Sequence, residues 1–281
     1  MRQILMPTDF SENAKNAISY ALELFKYERS SFYFLHAYQD AIYNNPKLTR
    51  TNLEVVTKSV EDFVANKLEE TLAFVEELSP NPRHSYQVLA ANNTLVDEAA
   101  NMVQSHNIDV IVMGTRGETN NPKIVFGSHT LQVLKYVPCP VLAIPENYTY
   151  TQPKHILFPT NLLIPYKRRE LKLLCEIAAP YRSKIDVLYV SKSDKLSMRQ
   201  EDNFMFLKDV VSQNQIELIT ESHSDITEAI YKNIEKRNTD MLVMVNSRQS
   251  FFETLLMQSP IDKLSLHVGI PFLVMQNVYR N

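Results

Sequence analysis

The stretch Asp109-Val110-Ile111-Val112-Met113-Gly114 opens on one acid, continues as four apolar residues and closes on a glycine. A strand without polar alternation is buried on both faces, as the central strands of a parallel sheet are. Working outward, Leu95 to Ser105 reads as a helix, and a loop of about a dozen residues leads to another near 128–136. Pro140-Val141-Leu142-Ala143-Ile144 then forms a further strand. Toward the N-terminus, Ile4-Leu5-Met6-Pro7 is a short apolar strand, followed by Thr8-Asp9-Phe10-Ser11-Glu12, a loop rich in helix-capping residues. Ala14, Ala17, Ile18, Ala21, Leu22 and Phe25 recur at helical spacing. Phe32 to Ala37 is a second strand, residues 52–78 a long charged amphipathic helix, and Tyr86-Gln87-Val88-Leu89 a third strand. Strands alternating with helices predict a parallel sheet with helices on both faces.

The same order begins again. Ile156-Leu157-Phe158-Pro159-Thr160 repeats Ile4-Leu5-Met6-Pro7-Thr8 at an offset of 152, and Val187-Leu188-Tyr189-Val190 mirrors Phe34-Leu35-His36-Ala37. Asp240-Met241-Leu242-Val243-Met244 repeats residues 109–113 at an offset of 131, and Pro271-Phe272-Leu273-Val274 repeats residues 140–143. The offset falls between the second and third strands, so the extra piece of the first half is the segment around 39–60. The chain of 281 residues is long for one domain and suits two. The expectation is an α/β protein of two tandem, open, parallel five-stranded sheets with flanking helices, residues 1–146 and 154–281. The boundary lies in the polar stretch from Pro145 to Pro153.

Composition narrows the function. The formal net charge is −3, from 29 basic and 32 acidic residues, with no Lys/Arg-rich segment, so a nucleic-acid partner is not expected. No apolar run approaches the roughly 18–20 residues that span a bilayer, and the N-terminal residues reach Pro7 and Asp9 before a signal core could form. No membrane association and a cytoplasmic location are expected. Two cysteines are too few for a disulfide framework. Cys139 lies between two prolines and Cys175 on an apolar helix face, and both are expected to be buried, inert thiols.

Glycine is the most informative count. The chain has four, and three of them, Gly114, Gly117 and Gly127, fall within fourteen consecutive positions. With Ser128 they spell G-x2-G-x9-G-S, from the carboxyl end of the fourth strand to the start of a helix. Ligands of open α/β sheets bind outside those carboxyl ends. There, glycine lets backbone N–H groups approach a phosphate, and a helix N-terminus favours an anion.

At this point the sequence resembles the universal stress proteins, whose ATP-binding members carry G-x2-G-x9-G-[S/T]. Residues 114–128 match that pattern without a gap. Pro7-Thr8-Asp9-Phe10-Ser11, Leu35-His36-Ala37 and Val137-Pro138-Cys139-Pro140-Val141-Leu142 are similar to the same family. The resemblance covers residues 1–145 and, more faintly, 154–277. It implies a tandem protein of the Rossmann-like universal stress protein fold that binds ATP in its first half, in a regulatory or stress-response role. By similarity, Asp9 is expected at the ribose or adenine and the backbone near Ala37 at the adenine edge. Gly114, Gly117, Gly127 and Ser128 are expected at the phosphates, with Mg²⁺ as their companion. The family also implies that the last strand of each half pairs with the other, making an intrachain pseudo-dimer; whether whole chains form a homodimer stays open.

The second half departs from the pattern. Gly114, Gly117 and Gly127 become Val245, Arg248 and Gln258, Asp9 becomes Asn161, and Ser128 survives as Ser259 ahead of Pro260, which lacks a backbone donor. That half is expected to keep the fold without the nucleotide. In the first half Asp9 equally suits a helix N-cap, with Glu12 at capping-box-like spacing. His129 suits either a phosphate donor or a surface histidine, Arg116 a solvated loop, and His36 a structural place. No His/Cys/Asp group has metal-ligand spacing, and no Walker A, G-x-G-x-x-G or G-x-S-x-G motif occurs. No catalytic residue is assigned. Two alternatives remain: a slow Mg²⁺-dependent ATPase, and a scaffold that works without nucleotide.

Overall fold

The computed structural model describes residues 1–49, 52–115, 126–191, 195–246, 252 and 269–276. Gly117, Arg116, Arg248, Gln258, Ser259 and Pro260 lie outside them. The chain divides into two compact units, Met1–Tyr150 and Thr151–Asn281.

The first unit runs β1 (Arg2–Pro7), α1 (Glu12–Leu24), β2 (Ser30–Ala37), α2 (Gln39–Tyr43), α3 (Leu53–Leu78), β3 (His84–Ala91), α4 (Leu95–Ser105), β4 (Val110–Gly114), α5 (Ser128–Tyr136) and β5 (Val141–Ile144). Its strands lie side by side in the order β3-β2-β1-β4-β5, all parallel. The chain therefore moves outward from β1 to β3, then returns to lay β4 on the other side of β1. Ile4, Leu5, Val110, Ile111 and Val112 are wholly buried, as their unbroken apolar runs require. At the end of the order, β3 alternates between half-buried and exposed residues, the pattern of a strand covered on one face.

The second unit runs β6 (His155–Pro159), α6 (Arg168–Ala178), a single 3₁₀ turn, β7 (Lys184–Ser191), α7 (Met198–Val210), β8 (Gln215–Ser222), α8 (Ile226–Lys236), β9 (Met241–Asn246) and β10 (Phe272–Gln276). Its order is β8-β7-β6-β9-β10, again parallel. The α/β class expected from the alternation is the one observed. Where α2 and the 26-residue α3 connect β2 to β3, the 13-residue α7 alone connects β7 to β8.

The hydrogen bonds that fix the strand ends recur between the units. Asp109 accepts from the Gln3 N–H at 2.8 Å, and Asp240 from the His155 N–H at 2.8 Å. The Ile111 N–H donates to the Pro140 carbonyl at 2.9 Å, and the Leu242 N–H to the Pro271 carbonyl at 2.9 Å. Asn107 and Asn238, each just ahead of its strand, both hold positive φ, 51° and 48°. Asn tolerates that region better than any other residue with a side chain, glycine excepted.

Helix ends follow local chemistry, with one departure from expectation. The N-cap of α1 is Ser11, whose hydroxyl accepts from the Ala14 N–H, and not Asp9. Asp9 stands two residues upstream and its Oδ1 accepts from both the Ser11 N–H (3.1 Å) and the Ser11 hydroxyl (2.6 Å), so it orients the cap. A second correction concerns the thiols. Cys139 is buried, whereas Cys175 is only partly so. On α6 the inward stripe is Leu171, Leu174 and Ile177–Ala178, and Cys175 stands at its margin. Burial still raises its thiol pKa, with Glu176 acting in the same direction, so it stays protonated at neutral pH. Among the described residues, no helix is long and apolar enough to cross a membrane.

Core and surface should respond oppositely to truncation. Leu5, on β1, has no exposed area, and Leu5→Ala is expected to cost about 2–5 kcal/mol. Val55, on α3, is 71% exposed, and Val55→Ala is expected to change stability by no more than about 0.5 kcal/mol. Urea unfolding of the two variants beside the parent chain measures both.

Candidate functional site

The reversal of strand order places the site. The loops after β1 and β4 leave adjacent strands toward different parts of the fold, and such a crevice at the carboxyl ends is where open α/β sheets hold ligands. Leu5 pairs with Ile111, so the loop after Pro7 begins level with Met113 and Gly114.

The loop after β1 is tightly determined. The Thr8 N–H donates to the Leu35 carbonyl at 2.9 Å, and the Thr8 hydroxyl accepts from the Phe10 N–H at 3.0 Å. Phe10 is thereby held at φ 65°, in the left-handed region that residues with a Cβ seldom adopt. Its ring stacks on His36 with centroids 4.5 Å apart. His36 Nδ1 lies 2.7 Å from the Thr8 carbonyl. A carbonyl can only accept, so Nδ1 carries the proton and Nε2 is bare in the neutral ring. Burial lowers the His36 pKa; the bond to Thr8 and the Asp9 charge act against that shift and are smaller. Asp9 and the end of β2 with Ala37 are thus brought together through Thr8 and His36.

The loop after β4 is pinned at its two ends. The Gly127 N–H donates to the Thr115 carbonyl at 2.8 Å, and the Thr130 hydroxyl donates to the Gly114 carbonyl at 3.0 Å. These bonds join Gly114, Gly127 and Ser128 at the start of α5. Gly127 is the N-cap of α5 with φ −60° and ψ 155°, angles open to any residue. Elsewhere α1, α4 and α8 are capped by the side chains of Ser11, Thr94 and Asp225. Here glycine leaves the first-turn amides of α5 without a side-chain acceptor.

An open cavity of about 370 Å³ adjoins this helix start, walled by Asp40, Thr94, Ser128, His129, Gln132 and Tyr136 among others. His129 Nε2 reaches Asp40 Oδ2 at 3.4 Å, linking α5 to α2 across it. Asp9, Ala37 and Gly114 do not line this cavity. Asp40, Gln132 and Tyr136 escape a motif reading because they sit in no recurrent pattern. Thr94 announces itself through Thr94-Leu95-Val96-Asp97, a capping spacing, and its hydroxyl does cap α4 at Asp97. Among the described residues, no group of three or more His, Cys, Asp or Glu could hold a metal ion.

A parallel sheet of order 3-2-1-4-5, with a glycine-bounded loop between its fourth strand and the next helix, places the first unit among the open, doubly wound α/β folds. The model of the universal stress protein family matches residues 1–145, more than half of the chain, and the chain belongs to that family. It is 26% identical to universal stress protein MJ0577 of Methanocaldococcus jannaschii over 156 residues, 51% of this chain and 94% of that protein. A universal stress protein from Archaeoglobus fulgidus is similar in structure along 98% of both chains, with a TM-score of 0.69 and 18% identity. The functionally unknown protein PA1789 of Pseudomonas aeruginosa is similar along 98% of this chain and 92% of its own, with a TM-score of 0.55 and 13% identity. At these identities the two structures establish the fold.

The buried imidazole beneath Phe10 makes a pH prediction. The folded pKa of His36 lies below its unfolded value, so its contribution to stability is present at neutral pH and is lost as pH falls below about 6.5. His84, also lowered by burial, acts in the same direction. His36→Gln cannot take up a proton, so the drop in melting temperature between pH 7.5 and 5.5 is expected to be smaller in the variant than in the parent. Paired melts without nucleotide test it, and equal drops would assign the acid lability to His84 or other groups.

Proposed function

We propose that the first unit binds ATP, with the phosphates at the amino end of α5 and the base and ribose toward the loop after β1. One observation carries this reading. Gly127 occupies an N-cap with ordinary backbone angles, where Ser, Asp or Asn would stabilise the helix by roughly a few tenths of a kcal/mol more and would occupy its free amides. Glycine has no conformational reason to be there, so its use is the space and the free N–H groups it leaves. Those groups and the positive end of the helix dipole suit a phosphate.

Asp9 and the backbone at Ala37 then serve the ribose and adenine. Gly114, Gly117, Gly127 and Ser128 hold the phosphates, and His129, on the wall of the adjoining cavity, is a further donor. The Asp40 carboxylate and Ser128 hydroxyl on that wall are hard oxygen ligands suited to a Mg²⁺ that travels with the phosphates. No side chain is assigned as a base against the terminal phosphate, so the nucleotide acts as a regulatory ligand. Binding is confined to the first unit, because the second carries side chains in place of all three glycines.

The two units pair through β5 and β10 in this reading. Each is the terminal strand of its own unit, and an open strand edge recruits a partner.

Titration calorimetry is expected to give one ATP per chain. Gly127→Val should abolish binding and Gly127→Ala weaken it less. Ser128→Ala should raise Kd about ten- to a hundredfold, the loss of one hydrogen bond to a charged group, about 1.5–3 kcal/mol. Asp9→Asn keeps an oxygen for the Ser11 N–H and hydroxyl, so the unliganded melt should hold while ATP binding weakens by roughly 1–2 kcal/mol. Full affinity in Gly127→Val, or two equivalent sites, would overturn the assignment. For the pairing, amide exchange in β5 and β10 should be as slow as in β4 and β9; exchange typical of an open edge would refute it.

A further inference from the structure

The second unit repeats the loop geometry of the first with different chemistry around it. The Thr160 N–H donates to the Leu188 carbonyl at 2.9 Å, and the Thr160 hydroxyl accepts from the Leu162 N–H at 3.1 Å, holding Leu162 at φ 54°. Asn161, in the place of Asp9, accepts from the Leu163 N–H at 3.1 Å. In the first unit the matching Phe10 meets α3 through apolar contact, packing against a cluster that includes Tyr38, Val56 and Val64. In the second, α7 meets the loop through amides.

Gln200, on the first turn of α7, is 7% exposed and uses every hydrogen-bonding position of its amide. Its Nε2 donates to the Asn161 carbonyl at 2.8 Å and to the Tyr189 hydroxyl at 3.3 Å. Its Oε1 accepts from the Ser197 N–H and the Ser197 hydroxyl, both at 2.9 Å. A carbonyl only accepts, so the Asn161 contact fixes which end of the amide is which. One turn on, Asn203 Nδ2 donates to the Leu162 carbonyl at 2.8 Å. Meanwhile α7 leaves Met198 80% and Met205 61% exposed. Leu207, 1% exposed, is the buried apolar anchor in the second half of α7, and in its first half that place is taken by Gln200.

We infer that the carboxyl ends of β6 and β7 form a primary-amide binding site whose ligand, the Gln200 side chain, is supplied by the chain itself, with Asn203 as its second anchor. The second unit thus keeps the loop that frames a ligand crevice and fills it with α7. This closure rests on bonds within the second unit and stands whether or not the first unit binds nucleotide.

Two nearly isosteric substitutions test it, read by hydrogen exchange of α7 and residues 160–163 in the full chain without nucleotide. Gln200→Met keeps the bulk and removes both donors together with the acceptor of the Ser197 capping box; exchange in residues 160–163, which the capping box does not hold, is expected to quicken at least tenfold at every pH, with β1–β5 unchanged. Gln200→Glu cannot donate when ionised but can when protonated. One oxygen of its buried carboxyl faces the Asn161 carbonyl oxygen, which raises the folded pKa, so closure is present at low pH and lost as pH rises through that value. Exchange in Gln200→Glu is therefore expected near the parent rate at pH 5 and at least tenfold faster at pH 8, after correction for intrinsic rates. Parent-like exchange in Gln200→Met, or equal acceleration of Gln200→Glu at both pH values, would overturn the inference and return Gln200 to simple packing.

Discussion

A threonine hydroxyl holding the next-but-one amide is the bond on which each unit's functional end depends. Left-handed backbone at a residue with a side chain costs about 1–2 kcal/mol. At Phe10 and Leu162 the cost is met by the Thr8 and Thr160 hydroxyls and by what each side chain does once placed there. Phe10 stacks on His36, and Leu162 is 1% exposed. Glycine would relieve the strain and forfeit the anchor. Because the turn is fixed, Asp9 and Asn161 leave it in corresponding positions, each accepting the amide two residues on.

The chain's sparing use of glycine sharpens the meaning of the glycines it has. Phe10, Asn107, Asn147, Leu162, Arg182 and Asn238 all hold positive φ, and no glycine among the described residues does. Tight backbone is therefore not what the described glycines serve: Asn takes three of the six positions, Phe10 and Leu162 gain packing in theirs, and Arg182 is exposed. The same logic separates α5 from the capped helices. A side chain at Gly127 would cap the helix and thereby consume the amides on which the proposed phosphate site rests.

Much of this was legible in the sequence. The unbroken apolar runs at 4–7 and 110–113 gave central strands, the spacing in 95–105 and 128–136 gave α4 and α5, and the two offsets gave corresponding elements in the second half. Local periodicity carries that information because burial imposes it directly. Less legible were features that depend on which neighbour wins a contact. Asp9, Ser11 and Glu12 each look like capping residues, and only the loop geometry gives the cap to Ser11 and makes Asp9 its support. Cys175 shares its helix with a broad apolar stripe, and rotation of α6 leaves it at the margin. Gln200 stands at the capping-box spacing Ser197-x-x-Gln200, which places the start of α7, but its second pair of bonds is invisible until the fold sets the Asn161 carbonyl and the Tyr189 hydroxyl beneath it.

The recurrence of scaffold bonds between the units shows which parts of the fold are shared and which are free to differ. Asp109 and Asp240, Ile111 and Leu242, and Asn107 and Asn238 hold the same strand ends by the same bonds or angles. None of these residues is a proposed ligand contact. At the carboxyl ends the threonine turn persists while the residues around it change: His36 gives way to Tyr189, Asp9 to Asn161, Gly114 to Val245, and α3 to α7. The core energy of a parallel sheet resides in its buried strands, while a crevice at the carboxyl ends is a cost, leaving polar backbone groups unpaired unless a ligand or a side chain meets them. A unit therefore gains by meeting those groups internally where it can. The fully bonded amide of Gln200 does so at the Asn161 carbonyl in the second unit, whereas in the first the N-cap of α5 offers its first-turn amides no side-chain acceptor.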